Sequence, residues 1–111
     1  MAYDLVLADR IRALLGEEPR LTEQRMFGGL AFLIGGHMAV AASGGGGLLV
    51  RVDPAESSGI AVATGARPME MRGRVMDGWL RVPQANVETD DGLARWVALG
   101  TAYARSLPPK R

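Results

Sequence analysis

The 111-residue chain contains no cysteine, which excludes disulfides, thiolate nucleophiles and cysteine-ligated metal sites. It has one histidine, His37, and one lysine, Lys110. A single imidazole makes a metal site or a catalytic triad only by recruiting distant carboxylates, and no spacing points to them. Charge of one sign is lacking too: 13 cations face 12 anions. A nearly neutral chain is unlike a nucleic-acid coat, which carries a clear basic excess. Long apolar runs are absent as well. The longest tract, Leu30 to Ala42, is broken by Gly35, Gly36 and His37 and falls short of the roughly 20 residues that cross a bilayer. Asp4, Asp9 and Arg10 interrupt the apolar N-terminus, so no secretory signal is read there. The expectation is one soluble, cytoplasmic domain over residues 1–111, with a flexible tail from about 108 and no membrane contact.

What is present is apolar substance, 48% of residues, enough for a core in a domain that buries about two thirds of its unfolded surface. Tyr3, Leu7, Ile11, Leu14 and Leu15 recur at helical spacing, and Gly16 and Pro19 close that first helix. "RMFGGLAFLI", "HMAVAA" and "LLVRV" then read as three strands, joined by Gly35-Gly36 and by "SGGGG". Asp53, Pro54 and Glu56 mark the start of a weak helix that ends by Gly65. "PMEMRGRVM" and "GWLRV" read as two more strands divided at Asp77-Gly78. Thr89 caps a last helix with the stripe Leu93, Trp96, Val97, Gly100, Tyr103 and Leu107, stopped by Pro108-Pro109. The fold class is α+β: a two-layer α-β(3)-α-β(2)-α domain with a mainly antiparallel five-stranded sheet and helices on one face.

The glycine clusters decide between a nucleotide binder and a packed sheet. A phosphate cradle needs a glycine-rich turn that leaves a strand and opens a helix. Gly28-Gly29 and Gly44 to Gly47 both lead into strands, and no lysine stands in Walker spacing. Gly28-Gly29 is therefore read as a bend within a strand where something packs on bare backbone. Ser43 lacks the strand–elbow–helix setting of a hydrolase serine. Ser57 and Ser58 have no base nearby, and the pairs Glu17-Glu18 and Asp90-Asp91 read as solvated helix-end charge. No enzyme chemistry, cofactor or metal is expected.

Twelve of the 13 cations are arginines, and strand alternation sorts several of them onto one face. Met69, Met71 and Val75 fall on one side of "PMEMRGRVM", Glu70, Arg72 and Arg74 on the other. Leu49 and Arg51 oppose Leu48, Val50 and Val52, and Trp79 and Arg81 oppose Leu80 and Val82. The helix-free face should thus gather Leu49, Arg51, Arg72, Arg74, Trp79 and Arg81 as a binding surface for a protein partner or a second copy. The alternative is weak nucleic-acid binding by the same arginines.

The runs "RMFGGLAFLIGGHMAVAA", "LLVRVDP", "PMEMRGR", "GWLRV" and "LARWVALGTAYARSLPPK" resemble the N-terminal domain of the TfoX/Sxy regulators of natural competence. The resemblance spans nearly the whole chain and implies the same helix and strand order in two layers. It implies a transcriptional co-regulator of DNA-uptake genes, a role that full-length members perform with a second domain. It brings no catalytic residue and no cofactor. Arg25, Met26, Phe27, Gly28 and Gly29 are its most specific positions, and their role is taken as structural.

Overall fold

Asp4 Oδ1 accepts hydrogen bonds from the backbone N–H groups of Val6 (2.9 Å) and Leu7 (3.1 Å), satisfying two donors that a helix start leaves orphaned. In the computed structural model, which describes residues 3–26 and 28–109, α1 follows as Leu5–Leu15 and ends at Gly16. Leu7, Ile11 and Leu15 of the expected stripe are buried, whereas Leu14 is exposed. The chain continues through β1 (Leu21–Met26), β2 (Gly29–Ile34), β3 (His37–Ala42), β4 (Leu48–Arg51) and α2 (Ser57–Thr64). β5 (Arg67–Met71), β6 (Arg74–Val82), a 3-10 turn (Gln84–Val87) and α3 (Asp90–Ser106) complete it. Sheet order is β1-β2-β3-β4-β6-β5, with every neighbouring pair antiparallel. The fold is the expected α+β class, but the sheet has six strands, not five.

The extra strand comes from the glycine pair. Met26 pairs with Gly29, so "RMFGGLAFLI" turns at Gly28 and is divided between β1 and β2. Gly28 takes a left-handed φ of 74°, a turn conformation. Gly29 opens β2 and is buried; a Cβ there would lie 2.0 Å from the carbonyl oxygen of Ala42. The pair is thus a turn followed by a close backbone approach, not a bend inside one strand. The residues before it, Leu21 to Gln24, form an edge strand that polarity and an expected turn concealed.

The last hairpin is also placed differently. Arg72 and Gly73, with φ of 53° and 78°, make the two-residue turn between β5 and β6. Asp77-Gly78, the expected turn, lies inside β6 as a bulge, because Pro68 pairs with Leu80 while Met69 pairs with Met76. Residues 77–79 therefore have no counterpart on β5. Gly78 is pinned there by its carbonyl, which accepts from Val52 N–H at 2.8 Å, and by contact with Pro54.

The helix-facing core joins Leu7 and Ile11 of α1 to Phe32, Val40, Val50 and Leu80 of the sheet and to Leu93, Trp96 and Val97 of α3. Asp53 Oδ1 accepts from Ala55 N–H at 2.9 Å, but α2 itself starts only at Ser57. Thr89 caps α3 as expected, accepting from Gly92 N–H at 3.0 Å. The opposite sheet face is covered as well. Ala31, Leu33, Met38, Ala41, Leu49 and Met69 form a second buried cluster, with Met26, Met76 and Trp79 packed against it.

These two neighbouring glycines should respond differently to alanine. Gly28→Ala meets only the left-handed φ, costing about 1 kcal/mol, whereas Gly29→Ala must push β2 from β3 and costs about 3 kcal/mol. Urea denaturation of both variants checks this, and equal costs would refute the close approach as the reason for Gly29.

Candidate interaction surface

Three arginines on the helical side, Arg10, Arg12 and Arg105, have partners. Arg12 forks onto Glu23, Nε to Oε2 at 2.7 Å and Nη2 to Oε1 at 2.8 Å, and its Nη1 donates to Asp9 at 2.6 Å. Arg10 donates to the Val87 carbonyl at 2.9 Å and pairs with Asp90 at 3.3 Å. Arg105 pairs with Glu18 across the gap from α3 to the chain after α1. The Arg12 hydrogen bond holds the Glu23 carboxyl below its ordinary value, against an opposing push from burial and with help from the Arg12 charge. Hydrogen bonding to Glu23 and to Glu18 raises the guanidinium groups of Arg12 and Arg105 above their ordinary value.

On the sheet side, the six residues expected to share one face separate into four places. Leu49 is 4% exposed and belongs to the second buried cluster, because Met69 and its neighbours cover it. The Arg51 guanidinium lies 5.1 Å from the Trp79 ring centroid and 5.5 Å from that of Tyr103, stacked between strand and helix. Arg72 and Arg74 are exposed at the end of the β5–β6 hairpin. Arg81 is exposed near the hairpin's other end, directly across from Arg67.

The expected division of "PMEMRGRVM" into a methionine face and an arginine face does not hold. The turn at Arg72-Gly73 resets the alternation, so Met71 pairs with Arg74 and Glu70 with Val75. Arg74 thus shares a side with Met71, and the hairpin tip carries both arginines beside Met71 (40% exposed) and Val75 (59% exposed). Sequence reasoning missed Arg67, Met71, Val75 and Tyr103. An arginine–glycine pair between two short β-prone runs was the signal for the first three, outranked by the stronger Asp-Gly signal further on.

The remaining candidates are structural in placement. Arg25 and Met26 end β1, Gly28 is in the turn, Gly29 opens β2, and Phe27 lies outside the described residues. His37 Nε2 donates to the Pro108 carbonyl at 2.7 Å, while its Nδ1 is buried with no partner among the described residues. Pro109 rests within contact of Gly35, so the chain to Pro109 lies against the β2–β3 hairpin. Ser57 Oγ donates to the Pro54 carbonyl at 3.1 Å. Among the described residues no cluster of acidic, histidine or cysteine side chains is arranged to hold a metal ion. No helix of the described residues is long and apolar enough to cross a membrane.

These features define a two-layer α+β domain in which Arg10, Arg12 and Arg105 hold carboxylates, while Arg67, Arg72, Arg74 and Arg81 hold none among the described residues. The chain belongs to the TfoX N-terminal domain family, whose model matches residues 13–104. A search of curated proteins found no match.

Glu23 supplies a pH test of the helical side. Its folded pKa is depressed, so its contribution is complete above the ordinary value of 4.5 and is lost as pH falls through the depressed folded value. The urea midpoint of wild type should exceed that of Glu23→Gln at neutral pH, and the gap should close as pH falls below 4.5. A gap that stays constant to pH about 3 would show that the ion pair does not set Glu23's protonation.

Proposed function

We propose that this chain is a small non-catalytic interaction domain that docks a protein partner on the tip of the β5–β6 hairpin. One observation carries the reading. Arg72 and Arg74 make no ion pair or side-chain hydrogen bond among the described residues, and the tip that carries them also exposes Met71, on the side of Arg74, and Val75, on the other side opposite Glu70. Guanidinium groups beside exposed apolar surface are the composition of interaction hot spots. The complementary partner is a protein surface with an apolar centre and carboxylates at its rim. The Arg51–Trp79 stack lies further along the same strand and supports the hairpin, keeping its base fixed while the tip contacts the partner.

Family membership supports a regulatory setting, in which a domain acts by contact rather than by turnover. The competence role that the resemblance implies, and a cytoplasmic location, belong to this proposal. Nucleic acid ranks second for the same arginines. The segment Arg67 to Val82 carries four arginines against Glu70 and Asp77, a small local excess for phosphate-driven binding at physiological salt.

A photo-crosslinking side chain placed at position 74 should give discrete protein adducts in host cells, while one at Val62, 88% exposed on α2, should not. The variant Arg72→Ala/Arg74→Ala/Val75→Ser should then weaken binding of the identified partner about 100-fold and leave the melting temperature nearly unchanged, since all three side chains are exposed. A partner bound equally well by the triple variant places the contact elsewhere. A crosslink to a second copy would make the partner the chain itself.

A further inference from the structure

We infer that Arg67 and Arg81, away from the hairpin tip, form a binding site for the phosphate group of a small phosphate ester. Four observations converge on it. First, the two arginines stand directly opposite each other across the β5–β6 ladder, where cross-strand side chains are close neighbours and like charges repel. The next residue in the same row is Leu49, paired to Arg81 from β4, so the row supplies no carboxylate to offset them. Neither guanidinium makes an ion pair or side-chain hydrogen bond among the described residues.

Second, both line one cleft of about 370 Å³ together with Ser43, Val82 and Pro83, a volume in the small-ligand range. Third, the polar side chains of that cleft are all donors. Ser43 Oγ accepts from Gly45 N–H at 3.4 Å, and its own hydrogen is committed to no acceptor among the described residues. Two guanidinium forks and a hydroxyl, with no acidic side chain in the lining, select an anion and repel a cation. A phosphate monoester, with a charge of about −1.5 to −2 at neutral pH, matches two arginines better than a carboxylate or a phosphodiester does. Pro83, exposed at the rim, gives the ester's apolar body a surface to lie on.

Fourth, the rim is held in place. Gly47 N–H donates to Gln84 Oε1 at 2.9 Å, tying the loop to the end of β6. A side chain at Gly47 would come within 2.4 Å of the Val82 carbonyl oxygen, so glycine is required for that approach. The loop after Ser43 is thus not a free glycine tether, and the serine keeps its position over the sheet.

The test follows the arginine Nε–H signals by NMR during titration with inorganic phosphate at pH 7.5, against chloride at matched ionic strength. Phosphate should shift the Arg67 and Arg81 signals saturably, and chloride should not. Arg67→Gln and Arg81→Gln should each weaken phosphate binding about tenfold or more, and Ser43→Ala a few-fold. Arg72→Ala/Arg74→Ala should leave it unchanged, which separates this site from the partner surface at the tip. Unsaturable or chloride-equivalent shifts overturn the site, as does full affinity in Arg81→Gln. Acetate binding as well as phosphate overturns the ligand class. A single-stranded oligonucleotide that binds where phosphate does not would transfer these arginines to nucleic-acid contact.

Discussion

Everything in this molecule depends on a sheet that is apolar on both faces and must be covered twice. All six residues of β2 are buried, alternating between Phe32 toward the helices and Ala31 and Leu33 away from them. Three helices cover one side. No helix is left for the other, so the chain covers it with side chains of its own sheet. Met69 and Met76 of the last hairpin, with Trp79, lie against Leu49, Ala41 and Leu33, and Met26 and Met38 close in from the strands on the other side. Methionine suits this task, because an unbranched thioether fills an uneven gap that no regular element presents. The bulge at residues 77–79 makes it geometrically workable. Extra residues on β6 interrupt its ladder with β5, and a bulge of that kind bends the strand and raises its local twist.

That arrangement explains which parts of the fold were legible in the sequence. Helix ends were readable where their signals are local: Gly16, Gly65 and Thr89 act on backbone groups a few residues away. The Gly35-Gly36 hairpin was readable for the same reason, its two glycines taking φ of 61° and 86°. The "SGGGG" turn was readable too, but the turns at Gly28 and at Arg72-Gly73 were not, since each region held two glycine signals and only tertiary contact chose between them. Gly78 is held by Val52 and Pro54, far enough away in sequence that no local rule includes them. Gly29 is held by Ala42 on a strand not yet formed when its own segment is read. Once the Arg72-Gly73 turn replaced Asp77-Gly78, Arg74 and Val75 exchanged sides relative to Met71 and Glu70, because strand alternation has a period of two. Beyond the bulge Leu80 and Val82 still face the helices and Trp79 the other side.

The arginines show how the same shift altered the candidate site. Reading straight through "PMEMRGRVM" gathered Arg51, Arg72, Arg74 and Arg81 around Trp79 as one surface. In the folded chain Arg51 is committed to two aromatic rings, and Leu49 is part of a core. What survives is the residue type and its location on one hairpin, divided between a tip with Arg72 and Arg74 and a base with Arg67 and Arg81. Arg67 entered no sequence-level grouping because its neighbour Arg81 is 14 positions on and becomes adjacent only through the β5–β6 register.

The contrast between the two layers has a physical consequence. Arg10, Arg12 and Arg105 each tie α1 or α3 to another element, and these bonds fix how the helices sit on the sheet. Among the described residues no such bonds restrain Arg67, Arg72, Arg74 or Arg81 of the β5–β6 hairpin, and all four are exposed. Pro68, lacking an N–H, sits on the outermost strand, where it blunts the edge against added strands. A hairpin that is buried through Met69 and Met76, closed at its edge by Pro68 and yet charged and apolar at its tip presents side-chain surface there rather than free backbone. Recognition there would proceed by side-chain contact, with the methionine cluster beneath keeping the hairpin seated on the sheet.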